Sequence, residues 1–135
     1  MKNLKALKVV LFVSGFIAAS IGASILIMPA IFYATNGIVL NGNISLLNEI
    51  RASGGALLAA GILIISGSFV ASLTFTAMVI STFLYLSYGL SRIISFVIDG
   101  MPSDGLVQAA ALEIVIGLVC LYVFTNYQKY HKVFT

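Results

Sequence analysis

The residue types that most often carry chemistry in small proteins are nearly missing here. A chain of 135 residues holds one cysteine, Cys120, and one histidine, His131. One cysteine excludes a disulfide within the chain, and no Cys-x-x-Cys or Cys/His spacing exists that would hold a zinc ion. Cys120 lies in an apolar run, where a free thiol usually serves as a small packing residue. No Ser/His or Cys/His pair is available to make an activated nucleophile. Charge is equally scarce: 8% of residues are charged and 61% are hydrophobic, against about 25% and 45–50% in an ordinary soluble domain. The mean hydropathy is +1.14. Such a chain lacks the polar groups to cover a water-facing surface. Nothing in it resembles a nucleic-acid module, and no cofactor or metal is expected.

What is present is length of apolar run. A transmembrane helix needs about 20 mostly apolar residues. Four segments qualify: 4–28, 50–70, 75–98 and 105–125. The expected architecture is an all-α, four-transmembrane-helix bundle forming one domain, and the expected primary partner is the lipid bilayer. The first run is longer than the 7–15 apolar residues of a typical signal peptide, so it reads as a retained helix. Residues 71–74 form a tight turn. Asp99-Gly100-Met101-Pro102-Ser103-Asp104 is a second turn, rich in helix breakers. The one long connection, 29–48, carries Pro29, Asn36-Gly37 and Asn41-Gly42 and reads as an outer loop. Asn43-Ile44-Ser45 matches a glycosylation sequon, read as chance outside a eukaryotic secretory setting.

The lysines set an orientation. Lys2, Lys5 and Lys8 precede the first span, and Lys129 and Lys132 follow the fourth. By the positive-inside rule both termini are expected in the cytoplasm, with the protein in a bacterial inner membrane. Glu49, Asp99 and Asp104 then fall at outer helix ends.

Small residues recur at helical spacing: Ser14, Ala18 and Gly22, and again Gly15, Ala19 and Ala23, on the first span. Gly54, Gly55, Ala59 and Gly61 follow on the second. Helices in lipid approach one another at such positions. Gly54 and Gly55 are the expected close-packing pair. The same faces would also serve a homo-oligomer or a partner in a membrane complex.

Arg51, Arg92 and Glu113 lie within expected spans. A charge at the bilayer centre costs about 2.5–3.5 kcal/mol on insertion scales, so such residues usually face the bundle and pair. At 1.5 Å per residue, Arg92 lies roughly 10 Å below Asp99, and Glu113 roughly 13 Å below Asp104. Arg92 and Glu113 are therefore expected to meet, with Arg51 pairing to Glu49 or Asp99. Ser81, Tyr85, Tyr88, Arg92, Ser95 and Asp99 are spaced 4, 3, 4, 3, 4 and share one helix face. This stripe would line the bundle interior and open outward at Asp99, with Tyr33 and Asn36 of the loop covering the opening. Space beside Arg51 is expected from Gly55. The first helix has no charge in this cluster and reads as a packing element.

Two readings of the cluster stand side by side. In one the charges neutralise each other and fix helix register. In the other Glu49, Arg51, Tyr85, Tyr88, Arg92, Ser95, Asp99 and Glu113 form an outward polar pocket for a lipid head group, a small amphipathic molecule or a proton. Three functions follow: a lipid-binding protein or complex subunit, a small proton-coupled carrier using Glu113, or an enzyme on a lipophilic substrate. The last would use Glu113 or Asp99 as acid or base with Tyr85 or Tyr88 assisting, and the missing nucleophile argues against it.

Asn48-Glu49-Ile50-Arg51-Ala52-Ser53-Gly54-Gly55, Gly89-Leu90-Ser91-Arg92 with Asp99-Gly100-Met101-Pro102, and Glu113 in the last helix together resemble the bacterial family called domain of unknown function 4345. The resemblance covers most of the chain and implies the four-helix layout. It marks Glu49, Arg51, Gly55, Arg92, Asp99 and Glu113 as matched positions. Many members carry an aromatic residue where this chain has Ser53. The family has no established activity, so the resemblance implies a fold and a site without a function.

Overall fold

A computed structural model describes residues 2–132, with the side chains of Lys2, Asn3, Tyr130, His131 and Lys132 outside the description. The elements run α1 (Lys2–Ile27), α2 (Pro29–Ala34), α3 (Ile44–Phe69), a 3-10 turn (Ala71–Leu73), α4 (Thr74–Asp99) and α5 (Asp104–Lys132). Among the described residues there is no strand. Four helices are long and apolar enough to cross a membrane. Each of the long helices exceeds 25 residues. At 1.5 Å per residue that is nearly 40 Å, against a hydrocarbon core of about 30 Å, so each can tilt or protrude.

The breaks follow local chemistry. Met28 precedes a proline, which disfavours the helical region there, and it sits at φ −130°, ψ 57°. Pro29 then opens α2 at its first position, where the missing N–H costs nothing. Asn41 and Gly42 both take positive φ, 48° and 67°, which reverses the chain ahead of α3. Asn43 caps that helix: its side-chain oxygen accepts from the Leu46 N–H at 3.1 Å. Gly100, at φ 96°, stops α4 in a conformation that L-residues avoid.

Two expectations change here. The second span begins at Ile44, six residues before Ile50, because the Asn43 cap starts the helix inside the expected loop. The asparagine read as part of a sequon is a helix cap. The last helix also continues past residue 125 to Lys132.

The bundle is built from antiparallel pairs. α1 packs chiefly on α3 and α4 chiefly on α5, with α3 joined to α4 across the short turn. In the first pair glycines set the distance. A Cβ placed on Gly15 would lie 2.7 Å from the Ile65 amide nitrogen and 2.9 Å from the Gly61 carbonyl oxygen. One placed on Gly54 would lie 2.7 Å from Ile25 Cγ2. Gly22 faces the Gly54 carbonyl and the Leu58 backbone in the same way, and Gly61 faces Ala19. Gly15 and Gly22 are seven residues apart, as are Gly54 and Gly61, so one register brings both pairs together. Backbone approaches backbone, which is how helices gain packing in a solvent as apolar as their side chains. Gly55 is different: a Cβ there meets nothing within 4 Å. Its expected close-packing role is therefore not fulfilled, because it points away from the α1 seam that Gly54 faces. The expected space at Gly55 is present.

Two apolar clusters fill the interior. Leu7, Leu11, Ile64, Ala77 and Met78 form the one toward the termini. Ala18, Ile25, Leu57 and Tyr85 form the other, with Phe32 and Tyr33 of α2 packed onto it. The loop helix thus folds over the bundle end.

The glycine seam yields a paired expectation. Gly15→Ala should destabilise the protein by about 1–3 kcal/mol, since the added methyl meets backbone that cannot yield. Gly55→Ala should be neutral or stabilise by up to about 1 kcal/mol through helix propensity. Unfolding of both variants in the same detergent, followed by circular dichroism, checks the contrast; equal effects would remove the seam's special status.

Candidate functional site

The centre of the site is an ion pair between neighbouring helices. Arg92 Nε donates to Glu113 Oε2 at 2.8 Å, and an Arg92 Nη donates to Glu113 Oε1 at 3.1 Å. The two parallel bonds are the fork geometry that suits guanidinium and carboxylate best. Their side chains remain 29% and 17% exposed, respectively. The helix register that permits the fork is again set by glycine. Gly89 lies against Ile114, and Gly117 lies against Leu86, with no room for a side chain at either point. This close approach holds α4 and α5 so that Arg92 and Glu113, one turn toward the loop end, face each other.

Tyr88, also on α4, is 38% exposed. It lies within electrostatic range of Glu113, Tyr33 and Arg92. The two loop residues expected over this region lie against the bundle at the loop end. Tyr33 packs against the neighbouring core in edge-to-face contact with Phe32, ring centroids 5.6 Å apart. Asn36 sits at the start of α5, its side-chain oxygen filling the space beside Gly105.

The remainder of the stripe on α4 divides by depth. Ser81 and Tyr85 are buried, whereas Ser95 and Asp99 are exposed. Tyr85 donates its hydroxyl to the Ser14 carbonyl oxygen at 2.5 Å. That bond turns it toward α1 and away from the opening. Cys120 of α5 is buried, as are Ser14 of α1 and Ser81 of α4, whose hydroxyls donate to the Leu11 and Met78 carbonyls of their own helices. At the other end Ser95 donates to Asp99 Oδ2 at 2.9 Å. The stripe is thus three separate contacts rather than one continuous pocket.

Arg51 departs from its expected partners. Its guanidinium donates to the Leu26 carbonyl in the last turn of α1, not to Glu49 or Asp99. The last carbonyls of a helix lack partners of their own and carry its negative dipole end, which makes them a natural place for a cation. Glu49 is exposed and makes no side-chain hydrogen bond or ion pair among the described residues. It does not join the cluster.

The first helix therefore does more than pack. It accepts a hydrogen bond from Tyr85 through Ser14 and one from Arg51 through Leu26. Both acceptors are backbone carbonyls, which carry no side-chain signature. Among the described residues no three His, Cys, Asp or Glu side chains gather as metal ligands.

These features describe a membrane-spanning four-helix bundle with an ion pair inside its α4–α5 half. The chain belongs to the family described as domain of unknown function (DUF4345), whose profile matches residues 6–124. No curated protein and no solved structure matches it.

The fork makes a distinctive mutational signature. Arg92→Ala should cost about 3 kcal/mol or more, because it leaves the Glu113 charge unpaired in an apolar setting. The double variant Arg92→Met/Glu113→Leu should cost less than that single change. A double-mutant cycle on detergent-solubilised protein measures the difference, and additive losses would mean that the pair contributes no coupling.

Proposed function

We propose that this is an integral membrane protein that binds the polar head of a lipid or small amphipathic molecule at Arg92, between α4 and α5 near the loop end. The observation that carries the reading is the unused capacity of Arg92. Its fork to Glu113 occupies two of five guanidinium N–H donors. The other three have no acceptor among the described residues, although the side chain is 29% exposed. Unsatisfied donors are costly in hydrocarbon, and a head group rich in acceptors would satisfy them. Tyr88 offers a hydroxyl in the same neighbourhood, and Tyr33 of α2 and Asn36 of the turn after it lie at the same end of the bundle. Glu113 keeps the arginine oriented while balancing its charge. Both carboxylate oxygens of Glu113 are engaged by Arg92, which favours binding over a carrier or an acid–base role.

The lysines support the orientation read from the sequence. Both termini then lie in the cytoplasm of a bacterial cell, and the Arg92 site lies in the outer half of the inner membrane. A C-terminal fluorescent-protein fusion that folds only in the cytoplasm should be bright; a dark fusion at normal expression would reverse the topology.

The binding reading is tested by mass spectrometry of co-purified amphiphiles. Wild type should retain a polar-headed species that Arg92→Met/Glu113→Leu loses by about tenfold or more, the scale of a charge-assisted hydrogen bond. The double variant avoids the unpaired charge and so separates binding from folding. Identical species on both proteins, with equal helical content, would reject the proposal.

A further inference from the structure

A second feature lies between the two helix pairs. α1 and α5 touch only sparsely. Between them runs a cleft of about 240 Å³. Its walls are Val9, Val13 and Ile17 on one side and Val115, Ile116 and Val119 on the other. Ser14 borders it too, but that residue is buried and its carbonyl is occupied by Tyr85. The valines at the rim are exposed. Val9 to Ile17 is eight residues, so the cleft follows the helices for roughly 12 Å. It is long, apolar and parallel to the bundle axis, the shape an extended hydrocarbon chain fills.

Charge decides what the chain is attached to. Lys5 and Lys8 stand on α1 at the Val9 end of the cleft, and Lys129 stands on α5 toward the same end; all three are exposed. The chain has only four acidic residues, Glu49, Asp99, Asp104 and Glu113. Three sit at the loop end and the fourth is held by Arg92. No acid competes for the lysines. Long lysine side chains keep their stems against apolar surface and bring the ammonium to the head-group level. A basic cluster beside a gap between membrane helices favours anionic lipid heads.

We infer that the α1–α5 cleft is a binding site for an anionic phospholipid of the leaflet at the lysine end. One acyl chain lies between the two valine walls and the phosphate meets Lys5, one turn from Val9 on the same side of α1. A second copy of the chain is a poorer occupant. Eight residues line the cleft, whereas a stable protein interface uses about 20–30 residues on each side. Free phosphate would leave the apolar cleft unfilled. The site is separate from Arg92 and does not depend on the function proposed there.

The test is native mass spectrometry of the full chain released from detergent with equal amounts of phosphatidylglycerol and phosphatidylcholine. Wild type should retain phosphatidylglycerol in preference. Val13→Trp, which fills the cleft from an exposed position, should lose the retained lipid. Lys5→Gln should keep the cleft but reduce the preference roughly fivefold, the effect of one interfacial lysine. Lys5 is exposed, so the variant tests recognition without disturbing the fold. All proteins are also compared in the Arg92→Met/Glu113→Leu background, which removes lipid held at Arg92; the preference for phosphatidylglycerol should persist there. Equal retention of the two lipids by wild type would overturn the inference. So would retention of phosphatidylglycerol by Val13→Trp in the Arg92→Met/Glu113→Leu background, or a wild-type dimer that Val13→Trp converts to monomer.

Discussion

The fork between Arg92 and Glu113 imposes the strictest condition on this bundle. Two opposite charges placed among apolar helices are tolerable only when they meet with good geometry. Side-chain length limits the reach of each, so α4 and α5 must be fixed in both separation and register. Gly89 and Gly117 supply the separation by removing side chains where the helices cross most closely. The Asp99–Asp104 turn supplies the register, since Gly100 ends one helix and the next begins at Asp104. Ion pair, glycines and turn form one arrangement.

The other helix pair solves the same problem without charge. α1 and α3 meet along Gly15, Gly22, Gly54 and Gly61, where backbone contact replaces side-chain interdigitation. Polar links then join the pairs. Tyr85 reaches from α4 to the Ser14 carbonyl, and Thr74 donates to the Gly67 carbonyl at 2.9 Å across the α3–α4 turn. These bonds matter because no water is available inside a membrane to satisfy a stray donor. One exception among the described residues is Thr82, whose buried hydroxyl has no partner.

Much of the architecture was legible because lipid imposes simple rules. Apolar length marked four spans, and the cost of intramembrane charge pointed Arg92 to Glu113 at matching depth. Gly54 was readable as a contact residue from the company of Gly61, but Gly55 was not separable from it. Adjacent residues point 100° apart on a helix, and only the position of α1 decides which one faces a neighbour. The cluster around Arg51 was less legible for a related reason. Its acceptor is the Leu26 carbonyl, and a backbone oxygen looks the same at every residue. The same holds for Ser14 and Tyr85. Charge matching suggested Glu49 and Asp99 as partners, while the unfilled helix end nearby offered a closer one. Asn43 carried a readable signal as a cap, but its place inside a nominal loop obscured it.

The Arg51 contact also changes what the connection between α1 and α3 has to accomplish. The two helices are already held by their glycines, and Arg51 of α3 ties down the end of α1 from across the seam. The intervening residues are relieved of fixing the hairpin. Pro29, Asn41 and Gly42 route the chain, and α2 is free to be shaped by what it covers. Frame and cover are mechanically decoupled, so the cover can diverge in length and sequence while the frame stays the same.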